Sequence, residues 1–505
     1  MQGYEDSRWE QLLKREKERA LLSAAAGVLG WDERTYLPRK GVELRGEQLA
    51  LLARLSHERL LAPELAELLD ELEEAYSARY SDDERKATLR EIRRVQQRAT
   101  KLPPELVEAL SRATTRGQAA WEEAKKIKRF SDFIEPLTEI IRLKREEAHA
   151  VGFKGEAYDA LLDEYEPGLT TAEASKILTG LREELVPILR TIMATGKQMP
   201  VEILQRRYPV ETQRLFGQAA AAAVGFDFHS GRLDVTAHPF CSGHGPGDVR
   251  LTTRYNEHHF SEGFFGILHE TGHGLYEQNL APEWWGTPLG TATSLGIHES
   301  QSRLWENFVG RSRPFWDYFY PQAQRFFTEA LGDVPQEDFY AAINDVRPSF
   351  IRIEADEVTY NLHIVLRFEL ERELIANRLQ PADLPTAWNE RFKNAFGLTP
   401  PDDAHGCLQD IHWSAGLFGY FPTYTLGNLF SAQFMAQARK ELGDLDASFR
   451  RGEFLGLKNW LVEKIHRQGS RYRAMELGQK VTGEPLSHKA FIGYLKGKYF
   501  ELYGV

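Results

Sequence analysis

The sequence has few cysteines, no long apolar run and no excess of basic residues, and each of these absences excludes a class of protein. Two cysteines in 505 residues, Cys241 and Cys407, exclude a disulfide-rich scaffold and favour a reducing, cytoplasmic compartment. The most apolar early stretch, LLSAAAGVLGW, is only eleven residues long, so we expect no membrane-spanning segment. The 63 basic and 74 acidic residues give a net charge of −11, which argues against nucleic acid as a partner.

The spacing of apolar residues predicts a mainly α protein with a small β-sheet. Hydrophobic residues make up 42% of the chain, enough for a large core. Through the first half they recur three and four apart between dense charges, which predicts helix after helix. Over 225–260 the pattern changes to two alternating strands, GFDFHSGRLDVTAHPF and DVRLTTRY, separated by the glycine-rich CSGHGPG. We find no repeat or flexible linker, so we expect one domain over 1–505, with catalytic-core helices over 261–430.

The stretch ILHETGHGLYEQ, residues 267–278, carries the first pattern with chemical meaning. His269 and His273 are four residues apart, so on a helix both imidazoles face the same side and can reach one zinc ion. Glu270 is close enough in such a helix to hold a water molecule at the same metal. Ser261 is the expected N-cap, and the expected buried stripe is Phe264, Phe265, Leu268 and Leu275.

A third metal ligand must come from another element. Glu277, one turn after His273, would lie too far along the helix. Glu299, separated from His273 by 25 intervening residues, is predicted to begin an amphipathic helix and to be the third ligand, with Glu306 two turns later as the weaker alternative. DVRLTTRY, just before the zinc helix, is predicted to be an edge strand that holds the substrate backbone.

Several motifs together resemble one known family. They are, in chain order, WDERTYLP at 31–38, HPF at 238–240, DVRLT at 248–252, HETGH at 269–273, HESQ at 298–301, IRIEADE at 351–357 and GCLQDIHW at 406–413. These motifs resemble the carboxypeptidase Taq family of bacterial and archaeal metallocarboxypeptidases. The resemblance implies a single large helical domain split by a deep active-site groove, which N-terminal helices over 1–130 partly cover. It also implies a homodimer and one zinc ion per chain, for which cobalt can substitute. His269, His273 and Glu299 carry over as metal ligands, and Glu270 carries over as general base and acid.

A carboxypeptidase needs two further kinds of group, and the sequence offers alternatives for each. Tyr420 or Tyr424, together with His412, would stabilise the oxyanion of the tetrahedral intermediate. The free α-carboxylate of the substrate calls for an arginine, and Arg250 and Arg352 are the alternatives. His238 would act as an auxiliary donor. We expect Asp356 and Glu357 either to orient a zinc-binding histidine or to neutralise Arg352.

The predicted function is therefore metal-dependent removal of single C-terminal residues from peptides, with broad specificity. The alternative is a dipeptidyl carboxypeptidase or an endo-oligopeptidase of a related helical zinc-peptidase fold. Those enzymes would share the metal and Glu270 but would place the carboxylate-binding cation elsewhere or lack it.

Overall fold

The computed structural model of the chain describes residues 2–79 and 83–505. Its α-helices are α1 Gln2–Thr35, α2 Val42–Leu60, α3 Pro63–Arg79, α4 Asp83–Lys101, α5 Pro104–Lys126, α6 Ile134–Val151, α7 Tyr158–Leu162, α8 Thr171–Ala194, α9 Val210–Ala223, α10 Phe260–Gln278, α11 Leu295–Arg303, α12 Arg313–Phe326, α13 Thr328–Leu331, α14 Gln336–Ile343, α15 Tyr360–Ile375, α16 Leu384–Phe396, α17 Pro422–Leu442, α18 Leu445–Arg450, α19 Leu455–Lys464, α20 Ala474–Thr482, α21 Lys489–Leu495 and α22 Glu501–Tyr503. Its strands are β1 Gly231–Val235, β2 Cys241–Gly243 and β3 Val249–Thr253.

The prediction of a mainly α fold with a small sheet beside the HETGH helix is confirmed, because β2 and β3 pack directly on α10. The chain forms two compact units. The first comprises 1–100, 200–343 and 434–484, and the second comprises 101–199, 344–433 and 485–505. The predicted single domain over 1–505, with its subdivision, stays a prediction. Among the described helices, none is both long enough and apolar enough to span a membrane.

Two apolar clusters stabilise the first unit. One joins α1 to α3 and α4, where Trp9, Leu12 and Ile92 are buried. The other surrounds the first turns of α10, where the ring of Phe264 stacks on Phe216 with centroids 5.3 Å apart. Burying such side chains contributes roughly 1.5 to 3 kcal/mol each. The predicted stripe of α10 is confirmed, since Phe264, Phe265, Leu268 and Leu275 are all buried.

The N-terminus of α10 corrects one prediction. His259, not Ser261, is the N-cap: its Nδ1 accepts a hydrogen bond from the Glu262 backbone N–H at 3.2 Å. The predicted cap was wrong because Ser261 already lies inside the first helical turn. An N-cap needs a non-helical backbone, and His259 supplies it with φ −153° and ψ 88°.

The sheet has three strands in the order β1-β3-β2, with β1 parallel and β2 antiparallel to β3. Two predictions were wrong here. Cys241–Gly243, expected to be part of a glycine-rich separator, is itself a strand, because the turn after it reverses the chain through the His244 N–H to Asp248 C=O hydrogen bond of 2.9 Å. DVRLTTRY therefore forms the central strand β3 and not an edge, so its backbone is already paired on both sides. Among the described residues, β2 is the edge strand that packs on α10.

The second unit is built around α15, which is buried on nearly every side and packs on α6, α8 and α16. Such a helix carries no clear amphipathic signal in its sequence because it has no solvent face. It buries charged side chains among the apolar ones, including Arg367 and Glu371, and each of these has hydrogen-bond partners within the unit.

Candidate active site

Two neighbouring helices of the first unit bring three metal-ligand side chains together. The Nε2 atoms of His269 and His273 lie 3.6 Å and 3.4 Å from Glu299 Oε2, and the three ligand atoms all lie within 4.8 Å of one another. Tetrahedral zinc with bonds of roughly 2.0 to 2.1 Å requires ligand separations of about 3.3 Å. The two His–Glu distances therefore suit one zinc-sized ion.

The glycine inside HETGH allows this approach. A Cβ at Gly272 would lie only 2.5 Å from the Cα of Ser302, so a larger residue would force α10 and α11 apart. Ser294 caps α11 by accepting from the Ile297 N–H at 3.1 Å, which begins the helix one turn before Glu299. The backbone contact at Gly272 and the N-cap at Ser294 thus position Glu299 opposite His269 and His273.

The Nδ1 atoms of both histidines are held by further side chains. His269 Nδ1 lies 2.8 Å from Glu306 Oε2. His273 Nδ1 lies 2.5 Å from His298 Nδ1, and His298 Nε2 lies 2.8 Å from Glu277 Oε1. A proton on each ligand Nδ1 leaves the Nε2 lone pair free for a metal. In the hydrogen-bonded series His273–His298–Glu277, His298 then accepts from His273 and donates to the Glu277 carboxylate.

Charge around Glu299 keeps its carboxylate ionised. Glu299 Oε1 accepts from Arg303 Nε at 2.7 Å, and its Oε2 accepts from the Ser302 hydroxyl at 2.9 Å. Burial alone would raise the pKa of Glu299, but Arg303 and His269 hold it well below its usual range. Burial opposes ionisation of Glu306 too, yet Arg303 and His269 lower its pKa to about 2. Both carboxylates therefore remain anionic at neutral pH.

Glu270 differs from these carboxylates. It is only 6% exposed, and burial raises its pKa to about 7, with His269 opposing the shift. A carboxylate with a pKa near the working pH can both accept and return a proton, as a general base must. Burial lowers the pKa of His273 to about 3, so this imidazole is neutral at pH 7, as a metal ligand must be.

The first unit also contains two of the predicted substrate-binding residues. His238 is exposed in the bend between β1 and β2. Arg250, on β3, donates from Nε and Nη2 to Asp248, both at 2.8 Å, and its guanidinium lies 4.2 Å from the centroid of the Trp31 ring. The guanidinium of Arg250 is thus already paired with one carboxylate, that of Asp248.

The remaining predicted residues form a cluster in the second unit. Arg352 is 6% exposed and donates from Nε and Nη2 to Asp410 at 3.0 Å and 2.7 Å. Its guanidinium lies 5.0 Å from the centroid of the Tyr424 ring. His412 Nε2 lies 3.2 Å from the Tyr424 hydroxyl, and the rings of Tyr420 and Tyr424 are 5.4 Å apart. Burial lowers the pKa of His412 to about 4, so its imidazole is neutral.

Glu371 of α15 forms hydrogen bonds that fix the position of the segment containing His412 and Tyr420. It accepts hydrogen bonds from the Tyr158 hydroxyl at 2.5 Å, the Trp413 indole at 2.8 Å and the Gly419 N–H at 3.1 Å. Trp413 directly follows His412, and Gly419 directly precedes Tyr420. Burial raises the pKa of Glu371 to about 7.

Two expectations about acidic residues were wrong. Asp356 accepts hydrogen bonds from Thr359 and from the backbone around it, and Glu357 accepts from Tyr494, Lys498 and Tyr499. Asp410 neutralises Arg352, and Glu306 and His298 contact the Nδ1 atoms of His269 and His273.

Sequence reasoning assigned no role to three of these partners, although each carried a signal. His298 directly precedes Glu299 in HESQ, Glu277 follows His273 by one helical turn, and Asp410 lies in the DIHW stretch beside His412. The sequence does not show which residues contact one another, because these contacts join segments that are 21 to 58 residues apart.

Comparison with known proteins agrees with the resemblance seen in the motifs. Residues 11–499 match the profile of the family described as Carboxypeptidase Taq (M32) metallopeptidase. The chain is 46% identical to thermostable carboxypeptidase 1 of Thermus thermophilus, covering 99% of both proteins. It is 38% identical to carboxypeptidase 1 of Bacillus subtilis, covering 95% of this chain and 96% of that protein. The fold superposes on the crystal structure of M32 carboxypeptidase from Deinococcus radiodurans with a TM-score of 0.95, at 39% identity over 99% of this chain and 100% of that one.

Proposed function

The chain belongs to the carboxypeptidase Taq (M32) family of metallopeptidases, and we propose that it removes single residues from the carboxyl ends of peptides with a zinc ion held by His269, His273 and Glu299. The protein is a metallocarboxypeptidase; the step size, the metal and the residue roles are the proposal. The observation that carries it is the convergence of two Nε2 atoms and one carboxylate oxygen within 4.8 Å, with Glu270 between the histidines in sequence.

A bound zinc ion supplies Lewis acidity, which polarises the scissile carbonyl and activates a water molecule. The protein's own contribution is proton transfer. Glu270 accepts the proton of the attacking water and returns it to the leaving amine, for which a pKa near 7 is well matched. Burial of Glu270 makes its carboxylate a stronger proton acceptor, because the protonated form is not penalised by desolvation.

We assign the oxyanion of the tetrahedral intermediate to His412 with Tyr420 or Tyr424. The hydrogen bond of 3.2 Å between His412 and the Tyr424 hydroxyl supports Tyr424, since a neutral imidazole can orient that hydroxyl. Removing one oxyanion donor typically lowers kcat by about 100- to 1,000-fold. Phenylalanine variants of the two tyrosines, compared at saturating substrate, decide between them.

For the terminal carboxylate of the substrate we retain Arg250, Arg352 and His238. Each arginine already binds an aspartate, so the substrate carboxylate would have to share or displace that partner. Arg352 shares Asp410 with Arg367, which leaves more positive than negative charge around that carboxylate. His238 is exposed and could donate without such exchange.

We assign Glu306 and the His298–Glu277 pair as positioning residues for the ligands. Carboxylates on the second nitrogen of metal-binding histidines fix the ring orientation and raise metal affinity. This assignment also separates the two candidate third ligands. Glu299→Ala should lose the metal, whereas Glu306→Ala should keep one zinc per chain at reduced affinity. Retention of zinc by Glu299→Ala but not by Glu306→Ala would reverse the assignment.

We further infer a cytoplasmic homodimer in which cobalt can replace zinc. The free thiols of Cys241 and Cys407 support a reducing compartment. The family resemblance supports the dimer and the metal exchange. Light scattering of the purified protein gives the oligomeric state, and activity after exchange of zinc for cobalt tests the metal.

Mass spectrometry of a hexapeptide incubated with the zinc-loaded protein tests the function. Products shortened by one residue at a time from the carboxyl end are expected, and a C-terminally amidated peptide should be a much poorer substrate. Loss of two residues at a time would identify a dipeptidyl carboxypeptidase. Cleavage of the amidated peptide at internal bonds would identify an endo-oligopeptidase.

A further inference from the structure

Arg352 lies near the middle of a loop whose two ends meet. The loop, residues 347–356, lies between α14 and α15 and contains one short 3₁₀ turn, Arg352–Glu354. The Arg347 backbone N–H donates to Asp356 Oδ2 at 3.1 Å, and this hydrogen bond joins the two ends. Compact loops of about 6 to 16 residues with adjoining ends are frequently functional. The position of Arg352 therefore depends on how the base of this loop is held.

The tip of the loop is bound to the GCLQDIHW segment. The Arg352 N–H donates to Gln409 Oε1 at 2.8 Å, and Gln409 Nε2 donates to the Phe350 C=O at 2.9 Å. The next residue, Asp410, binds the Arg352 guanidinium. These contacts fix the tip relative to its ion-pair partner, and other elements hold the two ends.

The chain before the loop is held by the C-terminal helix, residues 489–503, which comprises α21, a π-helical turn and α22. The Tyr503 hydroxyl accepts from the Val346 N–H at 2.8 Å and donates to the Val346 C=O at 3.4 Å. Both side chains are buried. One hydroxyl thus binds both backbone groups of the residue that leads into the loop.

The chain after the loop is held by the same helix. The hydroxyls of Tyr494 and Tyr499 donate to the Glu357 carboxylate at 2.8 Å and 2.9 Å, and Lys498 Nζ donates to it at 2.5 Å. In a regular α-helix, residues five apart point about 140° away from each other. The π-helical turn Lys496–Phe500 reduces this angle, because its hydrogen bonds join residues five apart. The turn therefore lets both tyrosines reach one carboxylate.

The C-terminal helix is itself anchored beside α8. His488 Nε2 lies 3.1 Å from Glu184 Oε1, and Lys496 Nζ lies 3.5 Å from Glu184 Oε2. Near the other end of the helix, Lys197 donates to the Leu502 C=O at 2.6 Å. Because α8 also packs on α15, the base of the loop is held against a helix pair of the second unit.

We propose that Tyr503, together with the Glu357 cluster (Glu357, Tyr494, Lys498 and Tyr499), positions Arg352, so that the C-terminal helix determines where the guanidinium lies. Arg352 needs this support because it lies on a loop, whereas Arg367, which binds the same Asp410, lies on α15. The catalytic meaning rests on the proposed function, in which Arg352 is a candidate for binding the terminal carboxylate. The C-terminal helix itself is assigned no substrate contact.

Chemical labelling of arginines tests the position of Arg352 without turnover. Arg352 and Arg367 are both buried and both bind Asp410, so Arg367 is an internal control. Tyr503→Phe should raise the rate of phenylglyoxal labelling at Arg352, read by mass spectrometry, about threefold to thirtyfold and leave the rate at Arg367 within about twofold. An unchanged rate at Arg352 would overturn the proposal. A matching rise at Arg367 would also overturn it, because the second unit would then be loosened in general.

Two further variants complete this test. Tyr320→Phe is the matched control, since it removes another buried hydroxyl, which donates to the Val334 C=O at 2.7 Å, and it should leave both labelling rates within about twofold. Tyr499→Phe serves if Tyr503→Phe does not fold, because it removes one donor from the other end of the loop. It should also accelerate labelling of Arg352 and not of Arg367.

A double-mutant cycle tests whether this position matters for catalysis. Tyr503→Phe should lower kcat/KM for a hexapeptide with a free carboxylate about threefold to thirtyfold. In the Arg352→Ala background the same substitution should change kcat/KM less than about twofold, because the group that the helix positions is gone. An equal fall in both backgrounds would overturn the proposal. If Arg352→Ala alone leaves hydrolysis unchanged, the proposed role of Arg352 fails instead, and the labelling rates then decide whether the helix positions it.

Discussion

Replacing His298 should weaken zinc binding although this residue is not a metal ligand. A metal on His273 Nε2 forces the proton onto Nδ1, and that N–H then depends on His298, 2.5 Å away, as its acceptor. Without the metal, His273 can move its proton to Nε2 and needs no such acceptor. His298→Ala therefore destabilises the metal-bound state more than the metal-free state.

The structure sets the size of the effect. A buried donor left without a partner costs about 1 to 3 kcal/mol. The His273 side chain is 16% exposed, so some hydration can replace the lost bond and the upper end of that range does not apply. We expect the zinc Kd of His298→Ala to rise about tenfold to a hundredfold. Glu277→Gln, one link further from the metal, should raise it by less.

Two variants separate orientation from packing. His298→Gln can accept from His273 through its amide oxygen and donate to Glu277 through its nitrogen, so it should restore most of the affinity. His466 is the matched control: it is fully buried, bonds Gln301 at 2.8 Å and lies 5.0 Å from the Tyr276 ring that also contacts His298. His466→Ala should leave the zinc Kd within about twofold, whatever its effect on stability.

Competition with a chromophoric zinc chelator at constant pH measures these constants directly, and the visible spectrum of the cobalt-substituted protein reports ligand geometry. The reasoning fails if His298→Ala binds zinc as tightly as wild type. It also fails if His466→Ala loses as much affinity as His298→Ala, because the loss would then reflect general disruption of this part of the first unit.

Further outcomes follow from the same geometry. Exhaustive chelation should abolish peptide hydrolysis, and stoichiometric zinc or cobalt should restore it; full turnover without metal would contradict the assignment. Glu270→Gln should retain one zinc per chain, measured by elemental analysis, while kcat falls by orders of magnitude. Arg250→Ala or Arg352→Ala should lower kcat/KM about ten- to a hundredfold for free-carboxylate peptides but far less for amidated ones, with lysine giving partial rescue; equal losses on both substrates would exclude that arginine as the clamp. Because burial raises the pKa of Glu371 from 4.5 to about 7, its contribution to stability is present below pH 4.5 and is lost as the pH rises through 7. Calorimetry should therefore find that Tm falls less from pH 5 to pH 8 for Glu371→Gln than for wild type. The matching difference in the loss of unfolding free energy is on the order of 3 kcal/mol.

The sequence was sufficient where chemistry follows local geometry. Histidines four residues apart on a helix must share a face, so the pairing of His269 with His273 needed no tertiary information. The choice of Glu299 as the candidate third ligand also came from the sequence, because it lies in a recognisable helix at a suitable distance along the chain, although that helix begins at Leu295, one turn before Glu299.

Other features depended on contacts that no local pattern encodes. Whether β3 is central or at an edge depends on the short strand β2, whose three residues carry no alternating signal. The partner of Arg352 is 58 residues away, and acidic residues nearer in sequence were equally plausible. The cap of α10 was misplaced because a histidine nitrogen, rather than a serine hydroxyl, accepts the bond.

The close packing at Gly272 has a consequence for ion selectivity. The spacing between α10 and α11 is limited by backbone contact at this residue, and Glu299 reaches the histidines from across that spacing. A single methyl group at 272 would separate the helices by a substantial fraction of an ångström. Zinc bonds of roughly 2.0 to 2.1 Å would then be stretched towards the roughly 2.3 to 2.6 Å that calcium accepts, but with nitrogen ligands that calcium does not favour. With the proposed ligands His269, His273 and Glu299, we therefore expect the absence of a side chain at residue 272 to limit the radius of the ion that the site accepts.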